Sequence, residues 1–219
     1  MTPDTNGMTR REVVQRVTAL LGGAALVGAE DLLAFSFDAD AFDQAMAQGV
    51  GAFTAGDVAL LDEIAETILP ETSTPGAKAA KTGAFMALMV TDLYTTRNQQ
   101  VFRDGMRQLD EACRAANNGV PFMQATPAQR LTFLEALDRE QKTAMEERAN
   151  APRSRAPAAE APPEDEPPHY FRVMKELALL GYFTSEIGYT RAMRYVESPG
   201  RFDPCVPHAP GDTSWAPHA

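Results

Sequence analysis

The chain of 219 residues is poor in the residues that build metal and redox centres. It has two cysteines, three histidines and one tryptophan. Two cysteines cannot make a disulfide framework, and with three histidines they do not suggest a Cys/His zinc module. No Cys-x-x-Cys-His haem attachment and no four-cysteine cluster set is present. Basic residues are also scarce: 20 Lys and Arg stand against 30 Asp and Glu, a formal net charge of −10. A binder of bare phosphate backbone needs the opposite sign, so nucleic acid is excluded as a partner class. No apolar run reaches the roughly 20 residues that span a bilayer. What remains is 44% hydrophobic and 23% charged, the balance of an acidic globular protein.

The first residues form an address. Arg10, Arg11 and Arg16 cluster after a polar start, and an uncharged stretch from Val17 to Ala29 follows. A basic region, a short apolar region and small residues at its end make a secretory signal. The paired arginines in Thr9-Arg10-Arg11-Glu12-Val13-Val14-Gln15 resemble a twin-arginine signal, with Val13 and Gln15 departing from its commonest pattern. Residues 1–29 are therefore expected to be an export signal with Arg10 and Arg11 at its centre. The expected destination is the periplasm, through the twin-arginine translocase. That route carries folded cargo, so the address can serve a partner as well as this chain.

The rest reads as all-α. Leu60, Leu61, Ile64, Ala65, Ile68 and Leu69 recur at helical spacing after Thr54-x-x-Asp57, and Pro70 ends the run. An apolar helix over 77–95 is expected to be central, with Phe85, Leu88, Met89 and Leu93. A third helix from about Asn98 has Val101, Leu109, Ala112 and Cys113 on one face and stops at Asn117-Asn118-Gly119. Thr126-Pro127-Ala128-Gln129 starts a fourth, with Leu131, Leu134, Leu137 and Met145 inside. Val173, Leu177 and Leu180 mark a fifth after His169, which is expected to pack. Gly181 is expected to break or bend that helix, and Thr184–Val196 to form another. No segment alternates with period two, so little or no sheet is expected.

The expected organisation is thus a signal at 1–29, a helical body at 30–149, a proline-rich linker at 150–168, C-terminal helices of the same domain at 169–196 and an extended tail at 197–219. The linker holds six of the sixteen prolines and the acidic run Glu164-Asp165-Glu166. The tail holds five more, yet carries Phe202, Cys205, Val206 and Trp215. An extended tail with apolar anchors is expected to dock, on this domain or on another chain, and Phe202, Val206 and Trp215 are its candidate docking residues.

Chemistry is hard to find. Gly-x-Ser-x-Gly, Gly-x-Gly-x-x-Gly and P-loop patterns are absent, so no nucleophile elbow or nucleotide cradle is visible. Cys205 and His208 lie close, but no third group orients the imidazole. The carboxylates Asp62, Glu63 and Glu66, and Glu135 with Asp138, fall on polar helix faces and are expected to be solvated, with nothing beside them to raise a pKa. No catalytic, cofactor-binding or metal-binding residue is assigned to this chain. Cys113 reads as a buried, inert thiol. For Cys205 in an oxidising compartment three states stay open: an intersubunit disulfide, a bond to Cys113, or a thiol.

Three stretches carry a resemblance. Leu60-Leu-Asp-Glu-Ile-Ala-Glu-Thr-Ile-Leu-Pro-Glu-Thr72 with Thr74-Pro-Gly-Ala77 is the first. Phe171-Arg-Val-Met-Lys-Glu-Leu-Ala-Leu-Leu-Gly-Tyr-Phe-Thr-Ser-Glu-Ile-Gly188 is the second. Pro199-Gly-Arg-Phe-Asp-Pro-Cys205 and Pro210-Gly-Asp-Thr-Ser-Trp-Ala216 make the third. Together, over about residues 55–216, the chain resembles the gluconate 2-dehydrogenase subunit 3 family. That resemblance implies a non-catalytic small subunit of a membrane-associated dehydrogenase complex. The implied partners are a large flavoprotein of the glucose–methanol–choline type, which would hold the FAD, and a multihaem cytochrome c subunit. The small subunit's signal would escort the signal-less flavoprotein across the inner membrane, where the complex stays associated. By the same resemblance, Cys205 would be a covalent link to the large subunit.

Overall fold

The computed structural model describes residues 49–150, 167–198, 200, 205, 207 and 209–216. Arg10, Arg11, Phe202, Val206 and His208 lie outside the described residues, as do the expected signal and most of the expected linker.

The described chain opens with a short antiparallel hairpin, β1 (Gly49–Val50) and β2 (Phe53–Thr54), in which Val50 faces Phe53 and both are buried. Helix α1 (Ala55–Ile68) follows at once. Its start is a reciprocal cap: the Asp57 N–H donates to Thr54 Oγ1 at 3.2 Å, and the Thr54 N–H donates to Asp57 Oδ2 at 2.8 Å. Two otherwise orphaned donors are satisfied there, which fixes where the helix begins. Val58, Leu61, Ile64 and Ala65 face inward at three- and four-residue spacing.

Helix α2 (Thr82–Leu93) begins five residues later than the expected start at 77. Residues 77–81 make a tight turn instead, with the Ala77 N–H on the Leu69 carbonyl and Lys81 left-handed at φ 53. Its apolar surface is one-sided: Met86, Ala87 and Val90 are buried, while Leu93 is 67% exposed. Gly83 sits against the α1 backbone, where a Cβ would run into the Asp62 nitrogen and the Val58 carbonyl. That glycine lets α1 and α2 approach closely.

Helix α3 (Thr96–Ala116) is capped by Thr95. Its buried stripe is Phe102, Met106, Leu109 and Cys113, with Val101 only half-buried and Ala112 exposed. The inward face is thus rotated from the expected one, because Phe102 outweighs its smaller neighbours in the core. The helix ends as expected: Asn118 and Gly119 take φ of 54° and 88°, and the Gly119 N–H returns to the Arg114 carbonyl at 2.8 Å.

A 3₁₀ turn (Phe122–Gln124) drops the fully buried Phe122 into the core, and α4 (Pro127–Asn150) begins with a second reciprocal cap between Thr126 and Gln129. Phe133, Leu134, Leu137 and Gln141 face inward, whereas Leu131 is exposed. Helix α5 (Tyr170–Phe183) buries Phe171, Met174, Leu177, Ala178 and Tyr182. Leu180, expected inside, is exposed. Gly181 does not break or bend α5 out of register; the helix continues to Phe183, and Gly181 is where the Phe85 ring lies against it.

The expected helix over 184–196 forms only in part: residues 186–192 are helical, and the remainder is not. One wide turn (Gly188–Ala192) follows α5, and from Met193 the chain is extended. Arg194 then pairs in parallel with Trp215. The core is helix on helix: α1 packs on α2, α4 and α5, and α3 closes the side through α5. Phe102, Phe122 and Phe171 anchor it, each worth roughly 1.5–3 kcal/mol of burial.

Candidate functional site

The carboxylates of α1 are not the solvated face that the sequence suggested. The helix turns Asp62, Glu63 and Glu66 toward neighbouring segments, and each is consumed by a structural partner. Asp62 Oδ1 accepts the Gly83 N–H at 2.7 Å, joining α1 to the first turn of α2. Burial pushes its carboxyl above the ordinary value, with the Gly83 hydrogen bond and the Lys78 charge pulling the other way. Glu63 is paired with both Lys78 and Arg130. Arg130 also donates from Nε to the Phe122 carbonyl at 3.0 Å, so Glu63 ties α1 to the 3₁₀ turn and α4. Glu66 accepts the Glu71 N–H at 2.9 Å and the Lys78 N–H at 2.8 Å, and so folds the 71–78 segment over the helix end.

A second cross-link corrects the reading of Asp138. Glu135 is exposed as expected, but Asp138 accepts from Lys175 Nζ of α5 at 2.7 Å and pairs with Lys142 at 2.9 Å. Burial alone would raise the Asp138 carboxyl; the hydrogen bonds from Lys175, Lys142 and Gln141 outweigh it and hold it down to about 2. Finally, the Tyr182 hydroxyl donates to the Pro75 carbonyl at 2.6 Å. The links from Asp138 to Lys175, Glu63 to Arg130 and Pro75 to Tyr182 span 37, 67 and 107 residues of sequence, so no local pattern reveals them.

Clefts open between the helices on the described surface. One, of about 450 Å³, lies between the hairpin end of α1 and α3, floored by Phe53, Leu60 and Met106. Of the three arginines that line it, Arg107 pairs with Asp104 at 3.0 Å, Arg114 pairs with Asp110 at 2.9 Å, and Arg103 donates to Gln100 Oε1 at 3.1 Å. A cleft of about 410 Å³ lies between α4 and α5, and a narrower one of about 150 Å³ between α3 and α5. No Ser, Cys or His lines any of the three. Among the described residues no three His, Cys, Asp or Glu side chains converge as metal ligands would, and no helix is long and apolar enough to cross a membrane.

The tail residues are placed apart from these cross-links. Trp215 returns to the body. The Arg194 N–H donates to the Ser214 carbonyl and the Ala216 N–H to the Arg194 carbonyl, both at 2.9 Å. Arg194 Nε donates to the Thr213 carbonyl at 2.7 Å, and its guanidinium lies 4.9 Å from the Trp215 ring centre. Ala216 is buried, while Trp215 keeps 46% of its surface. Cys205 is exposed and Cys113 is buried, the latter with its thiol pushed up by burial.

The model of the gluconate 2-dehydrogenase subunit 3 family matches residues 55–200. The chain belongs to that family. Comparison with curated proteins and with solved structures gives no match. The matched stretch begins at the first residue of α1 and covers every cross-link described above, from Asp62 to Tyr182. It stops at Gly200, so Cys205 and Trp215 lie beyond it. The first two stretches that resembled the family in sequence meet in space at the Pro75–Tyr182 contact. The family's description names a subunit, so the chain is one component of a gluconate 2-dehydrogenase type of assembly, with other subunits beside it.

Proposed function

We propose that the chain is a non-catalytic accessory subunit of a periplasmic, FAD-dependent sugar or sugar-acid dehydrogenase complex. It acts as structural partner of the catalytic flavoprotein and as its escort through the twin-arginine route. The family match across the whole helical body carries this reading. It is supported by the fate of the acidic residues. Asp62, Glu63 and Asp138 are engaged in holding helices together, and Glu66 in holding the 71–78 segment to α1, although these are side chains suited to acid–base work. The FAD and haem belong to the partner subunits in this reading, and Arg10 and Arg11 direct export. Exposed Cys205 supplies the intersubunit disulfide, with Phe202, Val206 and Trp215 docking around it.

The test is co-expression with a large flavoprotein of the glucose–methanol–choline type from the same source. The two should copurify with bound flavin, and Arg10→Lys with Arg11→Lys should leave the flavoprotein in the cytoplasm. Export of the flavoprotein by the double variant removes the escort role. On a non-reducing gel the complex should run as a heavier band that Cys205→Ala abolishes; its absence from the native pair removes the covalent link. A second reading, a stand-alone exported binding protein, draws on the tail's return to Arg194. It predicts a monomer that never copurifies with flavin.

A further inference from the structure

His169 does more than pack at the start of α5. It is the N-cap of the helix, and its ring accepts the Phe171 N–H at Nδ1 over 3.2 Å. An imidazole can accept at Nδ1 only while that nitrogen is unprotonated, so the cap exists only in the neutral ring. Ser, Thr, Asp and Asn cap helices at any physiological pH, whereas a histidine cap titrates within it.

The surroundings favour the neutral form. The ring stacks on Tyr170 at 4.6 Å, and its side chain is only 17% exposed. Tyr170 in turn packs against Gly105 of α3, and burial, with the Glu140 charge adding to it, pushes its hydroxyl up to about 12, so it stays neutral. From α4, Glu140 approaches His169 Nε2 at 3.9 Å but is itself 69% exposed, and solvent screens that attraction. Arg148, also of α4, is directed to the Pro167 carbonyl at 3.0 Å, and Arg172 of α5 to Glu176 at 2.7 Å. A protonated ring would therefore lose its cap, face the positive end of the helix dipole and gain one screened carboxylate. Burial accordingly holds the ring's pKa below 6.5, with Glu140 opposing.

We propose that His169 is a pH-responsive cap: protonation of its ring releases the first turn of α5, loosening the point where the C-terminal helix joins the body. The device is independent of the proposed export and docking roles. It gives the subunit an acid-sensitive joint at the base of the helix that carries Tyr182 and Lys175.

The full chain tests this by NMR. The His169 ring should titrate below 6.5. Across that titration the Phe171 amide should lose protection by roughly fivefold after correction for intrinsic exchange, the equilibrium equivalent of one lost cap. Amides of Leu61–Ala65 in α1 serve as the internal reference and should hold. His169→Asn, a cap that does not titrate in this range, should keep the Phe171 amide protected at both ends and erase the step. A ring that titrates at or above 6.5, a ring that titrates without moving the Phe171 amide, or a step that survives in His169→Asn each overturns the proposal.

Discussion

The Tyr182 hydroxyl donates to the Pro75 carbonyl at 2.6 Å, across 107 residues of sequence. The contact fastens α5 to the segment between α1 and α2, and it joins two of the three stretches that resemble the family. Tyr182→Phe keeps the buried ring and removes only the hydroxyl. It should cost about 1 kcal/mol, the net worth of one neutral hydrogen bond. Urea unfolding of the purified subunit measures this. A midpoint equal to wild type would mean that ring packing alone holds the segment.

Glu63 carries a heavier share, because it answers two cations at once. Its side chain and that of Arg130 are each 14% exposed, while Lys78 is 50% exposed. Glu63→Gln leaves Arg130 partly buried without its counter-charge. A loss of roughly 2–4 kcal/mol is expected, most of it from the Arg130 side. Pairing Glu63→Gln with Arg130→Met should recover part of that loss. If the double variant is as unstable as the sum of the single ones, the two residues are not coupled.

Acid should weaken the α4–α5 contact in a defined window. Asp138 is held down to about 2, below the ordinary aspartate value of 3.8. A depressed carboxylate contributes its stability in full above the unfolded value and loses it as pH falls toward the folded one. About 1–2 kcal/mol should therefore fade between roughly pH 4 and pH 2. Asp62, raised by burial, has the opposite sign and offsets part of the loss. Asp138→Asn should flatten the profile in this window; a profile as steep as wild type would place the acid response elsewhere.

The clasp between Arg194 and Trp215 combines backbone pairing with a ring contact. Arg194→Ala keeps the backbone partners but removes the Nε bond to Thr213 and the cation over the indole. Hydrogen exchange at the Ala216 amide should speed up about 5- to 10-fold, with the α1 amides unchanged. Unaltered exchange would show that the backbone pairing alone retains the tail.

Local chemistry was legible throughout. Thr54 with Asp57 and Thr126 with Gln129 fixed two helix starts, and Asn118-Gly119 fixed a stop, because capping depends on residues within four positions of each other. The resemblance was legible for a similar reason, since its motifs are contiguous. Where the reading failed, the deciding partner was remote. A glycine at 181 looks like a break until the Phe85 ring of α2 is seen to need that space. Residues 184–196 look helical throughout, but the helix stops at Ala192 and the Arg194 backbone pairs instead with the segment around Trp215.

The sequence by itself determined that the chain is helical, where most helices begin and end, which family it belongs to, and that its paired arginines stand ahead of the body. Tertiary structure alone decided what the acidic residues do. Asp62, Glu63, Glu66 and Asp138 look solvated on any helical wheel, because a wheel contains only their own helix. Their partners Gly83, Arg130, Lys78 and Lys175 arrive from other segments, and only the packed arrangement brings those charges and N–H groups within hydrogen-bond range. The few cysteines and histidines gain meaning in the same way. Cys113 is sealed in the core and Cys205 is exposed, and His169 becomes a cap only because the chain turns into α5 at that residue.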